Sequence, residues 1–308
     1  KQIFHYQVLD SRRQLAVFDL ENTLIASNVV SSWSYLATKR LPKAERVKLV
    51  TKTLAQAPGM LALDRKDRSD FLRSFYRRFA EAPITQIDDD SFEMFSELIL
   101  TKSFPAGLRR VREHRALGHR TILITGALDF VVKPLKPLFD DIISATLSHD
   151  GNTYTGQMEQ VPPIGETRAA VLRRFAEENN YDLSEAVAYA DSASDLPMLE
   201  AVGFPVAVNP EPKLASLANR RGWLIENFKP ACIINTGSII EHGSIIGDNC
   251  HISTGAKVNG GAFVGTESFV GSGSVIHESV HIGKKCIISA GSVVRKNIPA
   301  GTTFICNT

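Results

Sequence analysis

The sequence predicts an α/β fold with a doubly wound parallel sheet, followed by an all-β parallel β-helix. The first part of the chain alternates short apolar runs with helical patterns, as parallel sheets covered by helices do. The last part repeats every six residues, which is the period of short stacked strands. The composition changes between the two parts, because 12 of the 21 glycines and all 4 cysteines lie in residues 229–308. This change predicts a domain boundary near Asn227–Pro230.

Three apolar runs in the first part have the character of buried strands, and each ends in polar residues. Helical patterns such as 167–179 lie between them. Because the carboxyl ends of parallel strands form one edge, where such sheets bind ligands, we expect the polar residues to converge there. The runs with their polar ends are Gln14–Phe18 with Asp19-Leu-Glu-Asn-Thr-Leu24, Arg120–Thr125 with Gly126, and Ala186–Ala190 with Asp191-Ser-Ala-Ser-Asp195.

The repeat of the last part is read at every sixth residue, where 11 consecutive positions are Ile or Val and the residue two before each is small in 10 cases. One large and one small inward position in each strand fit a triangular coil of three strands, so we expect a packed prism of stacked coils. Cysteines at the small positions fit buried apolar packing better than zinc ligation or disulfide bonding. The apolar positions are Ile234, Ile240, Ile246, Ile252, Val258, Val264, Val270, Ile276, Ile282, Ile288 and Val294.

Charge and hydropathy exclude several partners. Lys plus Arg number 35 and Asp plus Glu 33, for a formal net charge of +2, which predicts no nucleic-acid partner. No apolar run approaches the roughly 18 residues of a membrane span, so we expect no membrane partner. A chain with a full core and no disulfide framework fits a cytoplasmic location. The chain begins at Lys1, so a removed signal peptide stays open. The abrupt entry into the repeat at Pro230 also leaves a partial or artificial chain open.

The three strand ends, in this order, resemble the haloacid dehalogenase superfamily, in particular its phosphoserine-phosphatase-like branch, over residues 12–226. The resemblance implies a Rossmann-like core at 1–27 and 105–228 and a helical cap at 28–104. It implies that Asp19 attacks phosphorus and forms an aspartyl-phosphate, with Glu21 as general acid and base. Thr125 and the Gly126 amide would bind the phosphoryl oxygens.

The same resemblance implies a Mg²⁺ site formed by Asp19, Asp191 and Asp195, with the backbone carbonyl of Glu21. Two positions depart from the family pattern. Glu21 stands where the family has Asp, and Arg168 stands where it has a phosphate-binding Lys. We therefore expect phosphate binding to be retained and turnover to be slow.

The segment Cys232–Ser253, with its Asn-Thr-Gly, Glu-His and His elements, resembles the left-handed β-helix acyltransferases, most closely the acetyltransferases of the sialic-acid and bacillosamine type. The resemblance covers residues 231–304, within a domain placed at 229–308. It implies acetyl-CoA as co-substrate and His242 as general base, polarised by Glu241. His251 would lie near the thioester carbonyl. Three glycines would let the pantetheine arm approach the backbone: Gly255, Gly273 and Gly291.

These resemblances together predict a bifunctional enzyme. One unit would hydrolyse a small-molecule phosphate ester, and the other would acetylate an amine or hydroxyl of a sugar-like acceptor. The resembled acyltransferases build their sites between protomers, which predicts a homotrimer. An alternative remains open, in which a catalytically lapsed hydrolase-like module is carried on a β-helix that only trimerises.

Overall fold

A computed structural model of the chain describes residues 2–99, 102–228 and 232–305, with no side-chain placement at 65, 66, 98 and 99. The chain divides into two compact units, Lys1–Phe228 and Lys229–Thr308. The end of the predicted boundary segment, at 229–230, lies outside the described residues, as does the fourth cysteine at 306.

The first unit is built on a parallel sheet. Its strands are β1 (Leu15–Phe18), β2 (Arg120–Leu128), β3 (Asp141–Ala145), β6 (Val187–Ala190), β7 (Phe204–Val208) and β8 (Leu224–Glu226). They are ordered β3-β2-β1-β6-β7-β8, and the pairings between these neighbours are parallel. The strand order reverses between β1 and β6, and a crevice opens at the carboxyl ends of strands at such a reversal.

Helices cover this sheet and fill the segment between β1 and β2. They are α1 (His5–Val8), α2 (Val29–Thr38), α3 (Lys43–Lys66), α4 (Arg68–Tyr76), α5 (Ile84–Met94), α6 (Pro105–Ala116), α7 (Asp129–Val132), α8 (Gly165–Glu178), α9 (Leu196–Glu200) and α10 (Pro212–Arg221). The segment predicted as a cap contains α2 to α5. An antiparallel hairpin of β4 (Leu147–His149) and β5 (Tyr154–Met158), which sequence patterns did not predict, contacts α4.

Strand β1 shows why the strands of this sheet appear in the sequence as continuous apolar runs. Each of its residues is fully buried. Ala16 and Phe18 belong to the apolar cluster that includes the helices between β1 and β2, whereas Leu15 and Val17 belong to the cluster with α8, α9 and α10. Burial on both faces removes the apolar and polar alternation that a half-exposed strand would show.

A buried histidine pair supports strand β6 just before the predicted site. The imidazole nitrogen Nε2 of His114 lies 2.8 Å from the Tyr189 hydroxyl, and its Nδ1 lies 2.7 Å from Nδ1 of His119. Burial, together with the charges of His119 and Arg110, lowers the pKa of His114 to about 3. His114 is therefore neutral in the folded protein at neutral pH.

This histidine should make the first unit sensitive to acid. The unfolded chain gains a proton at position 114 as the pH falls through about 6.5, and the folded chain does not until about pH 3. The free energy of unfolding should therefore decrease below about pH 6.5, by up to about 1.4 kcal/mol per pH unit. Denaturant unfolding at pH 7.5 and 5.0 measures the slope, which H114Q should reduce and the exposed control H149Q should leave unchanged. An equal slope in H114Q and wild type would contradict this account.

The second unit consists of short parallel strands at the predicted period. They are β9 (Ile233–Ile234), β10 (Ile239–Ile240), β11 (Ile245–Ile246), β12 (His251–Ile252), β13 (Lys257–Val258), β14 (Phe263–Val264), β15 (Phe269–Val270), β16 (Val275–Ile276), β17 (His281–Ile282), β18 (Ile287–Ile288), β19 (Val293–Val294) and β20 (Thr303–Phe304). They form three parallel sheets, ordered β10-β13-β16-β19, β11-β14-β17 and β20-β18-β15-β12-β9. The stacked parallel strands confirm the predicted β-helix.

The small side chains two residues before each apolar position also form hydrogen bonds between coils. The Ser274 hydroxyl donates to the Ser289 carbonyl at 2.8 Å, and the Cys250 thiol donates to the Gly265 carbonyl at 3.1 Å, in each case 15 residues along the chain. Ser238, Ser268 and Cys232 repeat this bond. Each such side chain satisfies a turn carbonyl of the next coil, so the position requires a small residue and favours one with a donor.

The first coil is less buried than the repeat predicts. Ile252 to Val294 at the sixth positions have no exposed surface, but Ile234 is 48% exposed and Ile240 is 36% exposed. Strands β9, β10 and β11 lie at the ends of their sheets and have a strand neighbour on one side within the described residues. An end coil lacks a stacked neighbour on one side, so its apolar positions stay exposed unless other residues cover them, as at the opposite end, where Val294 in β19 is fully buried.

Candidate functional site

The carboxyl ends of β1 and β6 bring the predicted acids together. The backbone N–H of Asp19 donates to the Tyr189 carbonyl at 3.0 Å, which extends the pairing of the two strands by one residue. Carboxylate oxygens of Asp19, Asp191 and Asp195 all lie within 4.8 Å of one another. The convergence that the sequence predicted at this sheet edge is present.

Arg168 lies among these acids and is only 4% exposed. Its Nη1 is 2.9 Å from Oδ1 of Asp19 and also contacts Oδ1 of Asp195, and its Nε donates to the Pro163 carbonyl at 3.0 Å. The planar guanidinium can therefore contact two carboxylates and a carbonyl at once, which a single ammonium nitrogen cannot do with the same geometry.

Burial and mutual repulsion keep the carboxylates from ionising freely. Burial raises the pKa of Asp19 to about 7, with Asp195 and Glu21 adding to the rise and Arg168 opposing it. Burial likewise raises the pKa of Asp191 to about 8, with Asp19 and Asp195 adding to it and a hydrogen bond from the Asn22 side chain opposing it. One guanidinium does not compensate the negative charge of this cluster.

A divalent cation fits this donor set. Buried carboxylates with raised pKa values favour a cation that would allow them to ionise, and oxygen ligands of this kind suit Mg²⁺. Arg168 engages one oxygen of Asp19 and one of Asp195, and the second oxygen of Asp195 accepts from the Ser192 hydroxyl at 3.0 Å. Carboxylate oxygens of Asp19 and Asp191 remain for a metal ion.

Thr125 and Gly126 lie within the buried part of β2, which continues to Leu128, and they line a cavity of ≈ 170 Å³ together with the acids. The Thr125 hydroxyl accepts from the Ala127 N–H at 3.1 Å, and the Gly126 carbonyl accepts from the Tyr76 hydroxyl at 2.9 Å. A Cβ at Gly126 would lie 2.7 Å from the Ile164 side chain and 3.0 Å from that of Leu72. The cavity wall requires glycine at this position because neighbouring side chains approach it so closely.

Glu21 reaches toward the helical segment between β1 and β2. Its Oε2 lies 3.3 Å from Nη2 of Arg68, at the start of α4, and Arg68 also lines the cavity. Burial raises the pKa of Glu21, although Arg68 and Arg168 oppose the rise. Sequence patterns did not identify Arg68 as a site residue, because one arginine in a charged helical segment does not differ from its neighbours.

Known proteins resemble this chain in sequence and in fold. Residues 16–200 match the family model of the haloacid dehalogenase-like hydrolases. The chain belongs to this family. A histidinol-phosphatase of Neisseria meningitidis is 30% identical to this hydrolase over 227 residues, an alignment that covers 70% of this chain and 100% of that protein.

Two solved structures share the hydrolase fold. One is a protein of unknown function from Bordetella pertussis, with a TM-score of 0.60 and 23% identity, covering 70% of this chain and 98% of that one. The other is a probable phosphoserine phosphatase from Vibrio cholerae, with a TM-score of 0.52 and 21% identity, covering 68% of this chain and 60% of that one. Residues 262–296 match the model of the hexapeptide repeat of succinyl-transferase. The chain therefore joins a haloacid dehalogenase-like hydrolase unit to a hexapeptide-repeat unit.

The site residues expected in the hexapeptide-repeat unit lie on its surface turns and strands. Glu241 and His242 are exposed in the turn after β10, and His251 is outward-facing and half-buried in β12. The Glu241 carboxylate accepts from the Gly260 N–H at 3.0 Å. Among the described residues no hydrogen bond joins Glu241 to the His242 ring, or His242 to His251. The polarising role of Glu241 and the joint action of the two histidines stay predictions.

The three glycines expected to admit a pantetheine arm occupy equivalent turns. Gly255, Gly273 and Gly291 have φ values of +68°, +67° and +71°, and a Cβ at any of them would meet nothing within 4 Å. The left-handed backbone of the turn is sufficient reason for glycine there. Their contact with a ligand stays a prediction.

In the described residues, no helix has both the length and the apolar character needed to cross a lipid bilayer.

Proposed function

We propose that the hydrolase unit is a Mg²⁺-dependent phosphomonoester hydrolase that acts on a small-molecule phosphate ester through an aspartyl-phosphate at Asp19. The observation that supports it most directly is the buried cluster of Asp19, Asp191, Asp195 and Arg168 beside Thr125 and Gly126. One cavity therefore holds a nucleophile at Asp19, the guanidinium cation of Arg168, and donors for phosphoryl oxygens at Thr125 and Gly126.

In the first step, a carboxylate oxygen of Asp19 forms a bond to phosphorus, the phosphorus–oxygen bond of the ester breaks, and the leaving oxygen takes a proton from Glu21. In the second step, water attacks phosphorus, Glu21 accepts a proton from that water, and the bond between phosphorus and the Asp19 oxygen breaks. Inorganic phosphate leaves, and both carboxyl groups return to their starting state.

The remaining residues of the site would bind the metal ion, neutralise charge or donate hydrogen bonds to the phosphoryl group. Asp19 and Asp191, helped by Asp195 and the Glu21 carbonyl, would hold Mg²⁺, which would neutralise negative charge around the phosphoryl group. Arg168 holds Asp19 in place and compensates its charge. The Thr125 hydroxyl and the Gly126 N–H would donate to the phosphoryl oxygens. The contact between Glu21 and Arg68 has to loosen if Glu21 is to exchange a proton with the leaving group.

Phosphate release from a panel of esters tests the hydrolase proposal. Histidinol phosphate and phosphoserine are included because the relatives are named after these activities, and an aryl phosphate serves as a general probe. We expect release with Mg²⁺ and its loss with a chelator, and D191N should lose activity while the exposed control D150N keeps it. A panel with no Mg²⁺-dependent release would favour the lapsed-module alternative.

A second activity is proposed for the hexapeptide-repeat unit, an acetyl-CoA-dependent N- or O-acetyltransferase acting on a sugar-like acceptor. The exposed His242 ring supports it, because this ring lies beside Gly260, where a Cβ would stand 3.1 Å from His242 Cε1. A glycine there leaves the imidazole room next to the adjoining coil. His242 would remove the proton of the acceptor as that acceptor attacks the thioester carbonyl, and CoA would leave as the thiol.

Thiol release from acetyl-CoA across amino sugars and hydroxyl acceptors measures this activity. H242A should reduce release about 10²–10⁴-fold, the usual contribution of a general base. H277Q, at another exposed histidine of the same unit, is the matched control. Unchanged release in H242A would eliminate His242 as the base.

We further propose that the hexapeptide-repeat unit forms a homotrimer. The support is its outward-facing apolar side chains, which include Ile239 at 46%, Ile245 at 59% and Ile287 at 50% exposure. Such surface is typical of association between copies. A monomer in light-scattering measurements would contradict the trimer, and a trimer without CoA release would favour the alternative of a purely structural β-helix.

A further inference from the structure

The loop that follows β7 contacts both acidic loops of the hydrolase site. The Asn209 side-chain amide donates to the Asn22 carbonyl at 3.2 Å, three residues after Asp19. The Glu211 N–H donates to the Asp191 carbonyl at 3.0 Å, and its Oε1 accepts from the Ala193 N–H at 2.8 Å. One short segment thus connects the loop after β1 to the loop after β6.

The two asparagines of this arrangement have an uncommon backbone conformation. Asn22 has a φ of +53° and Asn209 a φ of +42°, in the left-handed region that asparagine tolerates better than most residues. Asn22 and Asp191 line the same cavity, and the Asn22 side chain lowers the pKa of Asp191. Asn209 therefore holds the backbone of a residue whose side chain reaches a carboxylate of the acid cluster.

We propose that Asn209 and Glu211 are positioning residues that set the separation and orientation of the Asp19 and Asp191 carboxylates, and so the affinity for the divalent cation. This inference rests on the proposed hydrolase function. Neither residue belongs to the acid cluster itself, and they act through Asn22, Asp191 and Ala193. Glu211 acts as a hydrogen-bond acceptor, so its charge is not what the role requires.

Repulsion explains why such a connection matters here. The carboxylate oxygens of Asp19 and Asp191 lie within 4.8 Å of each other, and two loops that carry like charges separate unless something holds them. Strands β1 and β6 fix the start of each loop, and among the described residues their pairing ends with the bond from the Asp19 N–H to the Tyr189 carbonyl. The loop after β7 supplies bonds to both. Partners that orient metal ligands typically contribute about 10–100-fold in metal affinity or activity.

The experiment uses the full chain and measures Mn²⁺ binding by titration calorimetry and electron paramagnetic resonance, together with KM and kcat for the best ester of the panel. E211A removes the acceptor for Ala193, and E211Q keeps an amide oxygen that can accept the same bond. N209G removes the amide donor and tolerates a positive φ, so backbone strain is not added. E178Q on the exposed side of α8 is the control.

E211A and N209G should each weaken Mn²⁺ binding about 10-fold and lower kcat more than they raise KM. E211Q should remain within about 3-fold of wild type, because the hydrogen bond persists. Equal losses in E211A and E211Q would assign the effect to charge and overturn the positioning role. The positioning role would also be overturned if the wild type hydrolyses the ester and E211A and N209G bind Mn²⁺ as tightly as the wild type does. A wild type that neither binds Mn²⁺ nor releases phosphate would instead defeat the proposed function, and this inference with it.

Discussion

Replacing Asp19 by asparagine should abolish phosphate release by the hydrolase unit, lowering kcat at least about 10³-fold. An amide oxygen is a poor nucleophile, and removal of the attacking group is among the most damaging changes that an enzyme can suffer. The assay is Mg²⁺-dependent release from the ester that the wild type hydrolyses best.

The fold of D19N should persist, which makes the loss of activity interpretable. Asn is nearly isosteric with Asp, and the substitution removes one of several buried like charges that raise each other's pKa values. Arg168 keeps its contact with Asp195. The free energy of unfolding should therefore stay within about 1 kcal/mol of wild type. Wild-type turnover by a folded D19N would exclude Asp19 as the nucleophile.

Replacing Arg168 by methionine should destabilise the hydrolase unit by about 3–5 kcal/mol and remove its activity. Removing one partner of a buried ion cluster leaves the other charges uncompensated, a loss of this size in measured cases. Here Asp19 and Asp195 would lose the guanidinium that contacts both. Denaturant unfolding measures the stability, and phosphate release measures the activity.

A conservative variant at this position distinguishes the charge of the guanidinium from its shape, and a variant elsewhere on α8 serves as the control. R168K keeps one positively charged nitrogen for Asp19 and Asp195 but loses the bond that Nε donates to the Pro163 carbonyl, so its destabilisation should be about half as large. R174M removes an exposed guanidinium from the same helix α8, where solvent screens its pair with Glu178 and the pair should contribute little to stability. Equal stability of R168M and R174M would show that the buried cluster does not depend on Arg168.

The strand ends and the six-residue period were accessible to sequence reasoning because both are local patterns. Asp19 and Asp191 follow apolar runs directly, and parallel strands place their carboxyl ends at one edge. The Ile and Val positions predict the stacked strands because every coil repeats the same steric requirement. The β4 and β5 hairpin escaped prediction, since its short strands lack a strong apolar alternation.

The contacts of the site residues depend on long-range packing. Arg68 contacts Glu21 across 47 residues of sequence, and Asn209 contacts Asn22 across 187. Glu21, in place of the Asp of the family pattern, was expected to slow turnover. The structure shows in addition that the Glu21 carboxylate reaches Arg68 at the start of α4.

The sequence by itself determined the strands β1, β2 and β6, the acids that follow β1 and β6, and the six-residue repeat, because backbone periodicity and side-chain burial act over a few neighbouring residues. Only the tertiary structure decided that Arg168 lies between Asp19 and Asp195, and that the loop after β7 connects the two acidic loops. These contacts depend on the direction in which each side chain leaves its backbone, and packing against distant elements sets that direction.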